Sequence, residues 1–224
     1  AGHRVRRHDR AQQMRTQEQV NEIVRLLMEE YPLADCTLDW NKAYELLFSV
    51  RLAAQCTDER VNKITPALFA RFPTLEAFAE ADVAEVEEYV RSCGFYHSKA
   101  RDIVACANVL LEKYGGELPR TMEELTALPG VGRKTANLIL GDVFKIPGST
   151  VVDTHCIRIS NLLGLVDDLK DPVKIEMELR KILPPEHSSD FCHCIVLHGR
   201  AVCIARRPEC ERCCVRHLCR HYSG

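Results

Sequence analysis

The sequence has no long apolar run. Its longest uncharged apolar stretch, Ile103–Leu111, has nine residues, less than half of the ~20 that a bilayer-spanning helix needs. Membrane-spanning helices are thereby excluded, and the reading is of a protein with no membrane partner. Glycine and proline are modest, at 11 and 10 of 224 residues, which excludes collagen-like and low-complexity polymers. Aromatics are few, at 6% with one Trp, yet 46% of the chain is hydrophobic. That is enough for a sizeable core, in one large domain or two small ones. No basic, apolar, small-residue leader opens the chain, so the expectation is a soluble, internal protein.

Cysteine is the opposite case, with twelve. In a reducing compartment a disulfide framework is a poor explanation. Cys203, Cys210, Cys213, Cys214 and Cys219 crowd into seventeen residues, while the other seven are scattered. Scattered thiols act as small buried apolar groups; the cluster points to a metal. Charge is uneven too. The net −2 divides into +3 over residues 1–21, −8 over 22–90, −1 over 91–197 and +4 over 198–224. A polyanion partner is compatible with that balance, provided the basic face is local.

Residues 1–16 read as a basic, flexible tail. Beyond them the apolar residues repeat at helical spacing almost throughout: Val20, Ile23, Val24 and Leu27, then Tyr44, Leu47, Phe48 and Leu52, and on to Phe191–Ile204. Asp58, Asp82, Ser98 and Thr121 are suited to N-caps. Gly94, Gly115, Gly116 and Gly164 are suited to C-terminal stops. No stretch alternates strictly, and Val151–Val152 is too short for a strand. The fold class is all-α, with about ten short helices.

Between two helical patterns lies Leu128-Pro-Gly-Val-Gly-Arg-Lys134. Gly130 and Gly132 permit a tight turn with exposed backbone, and the following helix starts with free N–H groups, a ready anion site. A Walker A loop needs Gly and Lys adjacent, but Arg133 intervenes. A dinucleotide fingerprint needs a third Gly where Thr135 stands. The remaining readings are a helix-hairpin-helix, which grips DNA backbone without reading bases, or an ordinary helical corner. Lys134 at that helix start becomes a nucleophile only when neutral, and the helix dipole, Arg133 and partial desolvation would favour the neutral amine. Nineteen residues on, Val151-Val152-Asp153-Thr154-His155 presents a carboxylate at the head of another helix, suited to accept a proton or to stabilise a developing cation.

Cys203-x6-Cys210-x2-Cys213-x5-Cys219 offers four thiolates in one turn-rich segment, with Cys214 spare. Four Cys ligands suit tetrahedral zinc or a [4Fe–4S] cluster. Only one C-x2-C knuckle is present, and the uneven spacing suits the cubane better, although zinc stays open. Arg206, Arg207, Arg212, Arg216 and Arg220 surround the thiols. They either offset cluster charge or present cations to phosphates; the second role suits Arg206 and Arg207, inside the Cys203–Cys210 loop.

Taken together, LPGVGRKTAN, VVDTH, LHGR and the cysteine spacing, in this order, resemble the endonuclease III family of helix-hairpin-helix DNA glycosylases with AP lyase activity. Ala54-Gln55-Cys56-Thr57-Asp58 and Cys93-Gly94-Phe95-Tyr96-His97-Ser98-Lys99 also match. The resemblance covers residues 17–220 and implies two helical domains with a DNA-binding cleft between them. Residues 36–146 would form a six-helix barrel, with the hairpin at about 121–144. Residues 17–35 and 147–224 would form an iron–sulfur domain holding one [4Fe–4S] cluster per chain. The family's nucleophile falls on Lys134, its carboxylate on Asp153, and its cluster ligands on Cys203, Cys210, Cys213 and Cys219. Gln55 matches a residue that fills the gap left by an extruded nucleotide, Phe95 stands at an apolar wedge that is often Leu, and His155 lies beside the opened backbone. The implied activity is excision of oxidised pyrimidines from duplex DNA and β-elimination at abasic sites, by a monomer. The implied setting is a bacterial cytoplasm at the nucleoid, or a nucleus or mitochondrion in a eukaryote. The Lys134–Asp153 spacing is one residue longer than the family's, His97 replaces a commoner Asn, and Glu209 adds an acid to the basic loop.

Two rivals frame that reading. An adenine-mismatch glycosylase lacks the hairpin Lys and carries a catalytic acid that Ala53-Ala54-Gln55 does not offer. A non-catalytic iron–sulfur DNA-binding module would not need Lys134 paired with Asp153.

Overall fold

The computed structural model describes residues 13–223, and among them there is no β-strand. No helix is long and apolar enough to cross a membrane. The chain divides into two compact units, one formed by Cys36–Lys145 and the other by residues up to Asp35 together with those from Ile146 onward.

In the unit of Cys36–Lys145 seven helices follow one another: α2 Ala43–Ala53, α3 Asp58–Arg71, α4 Leu75–Ala79, α5 Val83–Val90, α6 Tyr96–Tyr114, α7 Met122–Thr126 and α8 Arg133–Asp142. The polar faces stay wet and the apolar stripes converge on Leu46, Phe48, Leu52, Phe72, Phe78, Ile103 and Leu110, all at most 1% exposed. Phe78 is the hub, with the rings of Phe48 and Phe72 each 5.1 Å away. Helix α6 packs against both α4 and α5.

The other unit holds α1 Gln17–Glu30, α9 Thr154–Leu163, α10 Pro172–Ile182, α11 Ser188–Ala201 and α12 Arg220–Ser223. Helix α1 opens with a capping box, in which the Thr16 hydroxyl accepts from Gln19 N at 3.2 Å and the Gln19 side chain accepts from Thr16 N at 2.9 Å. It ends at Tyr31, just before Pro32. Its stripe of Val20, Ile23, Val24 and Leu27 is buried with Ile159, Leu179, Phe191 and Ile195, which ties the first helix to the last ones across the chain.

The basic tail expected over residues 1–16 lies outside the described residues up to position 12. Its expected end is not loose: Arg15 N donates to Gly164 O at 3.1 Å and Arg15 Nη1 donates to Leu218 O at 3.0 Å. Of the four proposed N-caps, Asp82 and Thr121 hold their positions. Asp58 does not, because the Thr57 hydroxyl accepts from Arg60 N and caps α3 instead, while Asp58 takes the Thr37 hydroxyl. Ser98 lies inside α6, where its hydroxyl donates to Phe95 O. All twelve cysteines lie among the described residues, and none is in a disulfide.

Candidate active site

The 128–134 segment is a helix-hairpin-helix turn. Thr121 Oγ1 caps α7 by accepting from Glu124 N at 3.2 Å, and the turn closes through Val131 N donating to Leu128 O at 3.2 Å. Gly130 stands at φ +74°, and a Cβ there would sit 2.8 Å from Asp102 Oδ2 and 2.9 Å from Arg51 Nε. Those two side chains form an ion pair at 2.8 Å and buttress the turn from beneath. Glycine is therefore required at 130 by both backbone and space. Gly132 differs. It is the N-cap of α8 at φ −98° and ψ −179°, with no side-chain cap, and a Cβ there would meet nothing within 4 Å. Nothing within this chain demands a glycine at 132; an approaching ligand would.

Lys134 follows Arg133 in the first turn of α8, where backbone N–H groups lack intrahelical acceptors. Its side chain is exposed. The desolvation expected for it is therefore not supplied by the protein alone.

Asp153 is the N-cap of α9, and its Oδ1 accepts from Cys156 N at 2.8 Å. This one bond fixes the carboxylate and leaves Oδ2 outside the cap. Two residues on, the His155 ring lies against α11, where a Cβ on Gly199 would stand 2.5 Å from Nδ1. Burial pulls the His155 imidazole below its ordinary pKa, against the opposing pull of the Asp153 carboxylate. Arg158 Nη2 lies 3.2 Å from His155 Nδ1 and donates to Cys203 O at 2.8 Å. A guanidinium can only donate, so Nδ1 is the acceptor and the proton sits on Nε2. Gly199 and Arg158 are site residues that sequence reasoning passed over. LHGR was noted only as a motif, and its glycine is a close-approach position.

Gln55 and Phe95 share an unusual backbone. Both lie in the left-handed region, at φ +52° and +45°, which costs a non-glycine residue about 1–2 kcal/mol. Gln55 follows the end of α2 and is exposed. Phe95 precedes α6 without a side-chain cap and is 65% exposed. Beside it, His97 Nδ1 lies 2.8 Å from the Glu87 carboxylate.

Cys203, Cys210, Cys213 and Cys219 line one cavity with Ile159, Leu163 and His198. Two single-turn 3₁₀ segments, Cys210–Arg212 and Arg216–Leu218, bring the last three thiols round it. Burial pushes the Cys203 thiol up to about 11, and raises Cys213 and Cys219 as well. His198 Nε2 lies 3.3 Å from Cys213 Sγ, and the Tyr31 hydroxyl lies 2.7 Å from His198 Nδ1. Cys214 is not among the residues lining the cavity.

The five nearby arginines divide clearly. Arg212 pairs with Glu209, Arg216 with Glu211 at 3.6 Å, and Arg220 with Asp167 at 3.0 Å. Arg206 and Arg207 are exposed and form no ion pair among the described residues. Glu209 is thus engaged by Arg212 and leaves the other two cations open.

Residues 48–185 match the family described as HhH-GPD superfamily base excision DNA repair protein. Endonuclease III of Synechocystis sp. is 46% identical over 202 residues, covering 90% of this chain and 92% of that protein. The chain belongs to the endonuclease III family. Endonuclease III in a non-covalent complex with DNA superposes with a TM-score of 0.86 at 39% identity, covering 93% of this chain and 97% of that one. A trapped endonuclease III–DNA covalent intermediate gives 0.86 at 39% identity, with 93% and 98% covered. As a member of this family, the chain is a DNA glycosylase and AP lyase of base-excision repair.

Proposed function

We propose that this protein removes oxidised pyrimidines from duplex DNA with Lys134 as nucleophile and Asp153 as the charge-stabilising carboxylate. The observation that carries the proposal is the pair of helix starts. One presents an amine beside uncapped N–H groups, and the other presents a carboxylate held by its own helix.

The open end of α8, with Gly130 and Gly132 bare of side chains, receives a phosphodiester, and Arg206 and Arg207 bind further phosphates. The damaged nucleotide is turned out of the duplex at a cost of a few kcal/mol, least for a poorly stacked lesion. Gln55 and Phe95 fill the vacated stack and offset part of that cost, with His155 beside the opened backbone. DNA also excludes water around Lys134, which favours the neutral amine. That amine attacks C1′ as the C1′–N bond to the base breaks, and Asp153 stabilises the cationic sugar. The departing base takes a proton and the Lys134 nitrogen loses one; the nitrogen lone pair then expels O4′, which takes a proton as the C1′–O4′ bond breaks and the sugar ring opens, leaving an iminium between Lys134 and C1′. The iminium acidifies C2′; loss of its proton expels the 3′ phosphate and cuts the strand 3′ to the lesion.

Cys203, Cys210, Cys213 and Cys219 fit a [4Fe–4S] cluster, one per chain. All four donors are thiols around an apolar cavity. Among the described residues, no three of these sulfurs come within 4.8 Å of one another, whereas a tetrahedral zinc with bonds near 2.3 Å would draw them to roughly 4 Å. When bound, the cluster supplies a structural cross-link to a segment without long helices, and capacity for electron transfer. Lys134 and Asp153 carry every step of base removal.

The test measures base release and strand cleavage separately, on duplex DNA with one thymine glycol. The parent protein is expected to do both, and Lys134→Ala to lose strand cleavage by at least about 100-fold. Full cleavage by Lys134→Ala would overturn the assignment. Base release without cleavage by the parent would point to a monofunctional adenine-type enzyme. Binding with neither activity would leave a DNA-binding module.

A further inference from the structure

Lys99 has 0% of its surface exposed, on α6. It occupies a core register: Ile103, Cys106 and Leu110, at i+4, i+7 and i+11, are buried on the same helix. Among the described residues, no carboxylate pairs with its ammonium. A buried charge without a counter-ion costs several kcal/mol, and burial accordingly draws the Lys99 pKa down. A leucine would fill this volume without that cost, so the nitrogen must be there for its donors.

Its two hydrogen bonds show what the donors do. Nζ donates to Leu52 O at 2.7 Å and to Cys93 O at 2.9 Å. Leu52 lies in the last turn of α2, where carbonyls have no intrahelical donor. Cys93 ends the 3₁₀ turn Arg91–Cys93 before α6. Three residues after Leu52 stands Gln55, and two residues after Cys93 stands Phe95. Both downstream residues are exposed and both hold left-handed backbone. One buried amine therefore ties together the roots of the two segments that carry Gln55 and Phe95.

We propose that Lys99 is a positioning residue that holds the Gln55 and Phe95 segments in fixed register, so that both side chains enter the base stack together. The proposal rests on the insertion role assigned above to Gln55 and Phe95. A lone apolar side chain at 99 would pack the core but leave both carbonyls without a donor and the two segments free to move independently. A shift of about 1 Å in positioned groups can cost roughly 100-fold in rate, so a strut of this kind acts at a distance from the chemistry.

Lys99→Met keeps length and apolar volume and removes the donors. It is compared with Leu110→Ala, which weakens the same core without touching either segment, at a temperature where both remain folded by circular dichroism. Two substrates separate extrusion from chemistry: a duplex with one thymine glycol, and a single-stranded oligonucleotide with one abasic site, which has no stack to enter. The Lys99→Met variant is expected to lose about tenfold or more of single-turnover base release on the duplex. Its strand cleavage on the single strand should stay within about twofold of the parent. The fluorescence rise of 2-aminopurine placed opposite the lesion should fall in parallel, while Leu110→Ala changes neither ratio. Equal loss on both substrates, or the same pattern in Leu110→Ala, would overturn the strut. So would unchanged base release by Lys99→Met when Gln55→Ala and Phe95→Ala are impaired. If Gln55→Ala and Phe95→Ala are themselves unimpaired, the insertion role fails instead. Should Lys99→Met not fold, Lys99→Gln, whose shorter amide reaches one carbonyl at most, is read on the same two substrates with the same expected split.

Discussion

The helices that begin at Arg133 and Thr154 solve the same problem in opposite ways. Every α-helix starts with N–H groups that lack acceptors. Helix α9 satisfies one internally, through the Asp153 carboxylate on Cys156 N at 2.8 Å. Helix α8 has Gly132 at the corresponding position and no side chain to accept. A capped start is finished as a piece of protein structure; an uncapped one with open space in front of it is finished only by a ligand. Each start carries one proposed reactive group, and the difference suits the two roles. An anion must be admitted beside Lys134, whereas Asp153 must be held still.

The sharpest way to break the comparison is to separate Asp153's two duties. Asparagine caps helices as well as aspartate does but carries no charge. Asp153→Asn is expected to keep the melting temperature within a few degrees while base release falls on the order of 100-fold or more. Asp153→Ala should lose the activity and about 1 kcal/mol of stability as well. Calorimetry beside single-turnover kinetics checks both. Next in size is the turn itself. Gly130→Ala forces a Cβ against the Arg51–Asp102 pair at positive φ, and should cost about 1–3 kcal/mol in denaturant unfolding.

Gly132→Ser would convert the open start into a capped one. Its backbone already has extended geometry and its Cβ meets nothing, so stability should rise by a few tenths of a kcal/mol. DNA affinity should fall, because the new hydroxyl occupies the donors meant for phosphate. Equal or tighter DNA binding by Gly132→Ser would contradict the reading of α8. The smallest effect belongs to the loop cations: Arg206→Ala and Arg207→Ala should each reduce the salt-dependence slope of binding by about 1. Arg212→Ala, whose partner is Glu209, should leave the slope nearly unchanged.

The helical periodicity made most of the fold readable from the amino-acid sequence, because short amphipathic helices announce themselves by spacing alone. Helix ends were less readable, since neighbouring hydroxyls and carboxylates compete for one cap: Thr57 took the place expected of Asp58. Ile204 continued an apolar pattern but lies beyond α11, which ends at Ala201, where the cysteine segment turns the chain. The placement of Lys134 and Asp153 at helix starts was readable because glycine and aspartate stand where each apolar helical pattern begins. The desolvation of Lys134 was not, because exposure depends on what surrounds the helix start. The paired left-handed conformations of Gln55 and Phe95 leave no trace in residue type. Lys99 did leave one, a lysine at a core register of α6, but a lone cation in a polar stretch reads as surface until its carbonyl partners are known.

The open start of α8 is where the nucleophile is proposed to stand. The most direct measurement is borohydride trapping on a thymine glycol duplex, followed by peptide mapping of the adduct by mass spectrometry. The expected result is a single cross-link on the peptide containing Lys134, absent from Lys134→Ala. A cross-link on any other amine, or an undiminished one in Lys134→Ala, would contradict it.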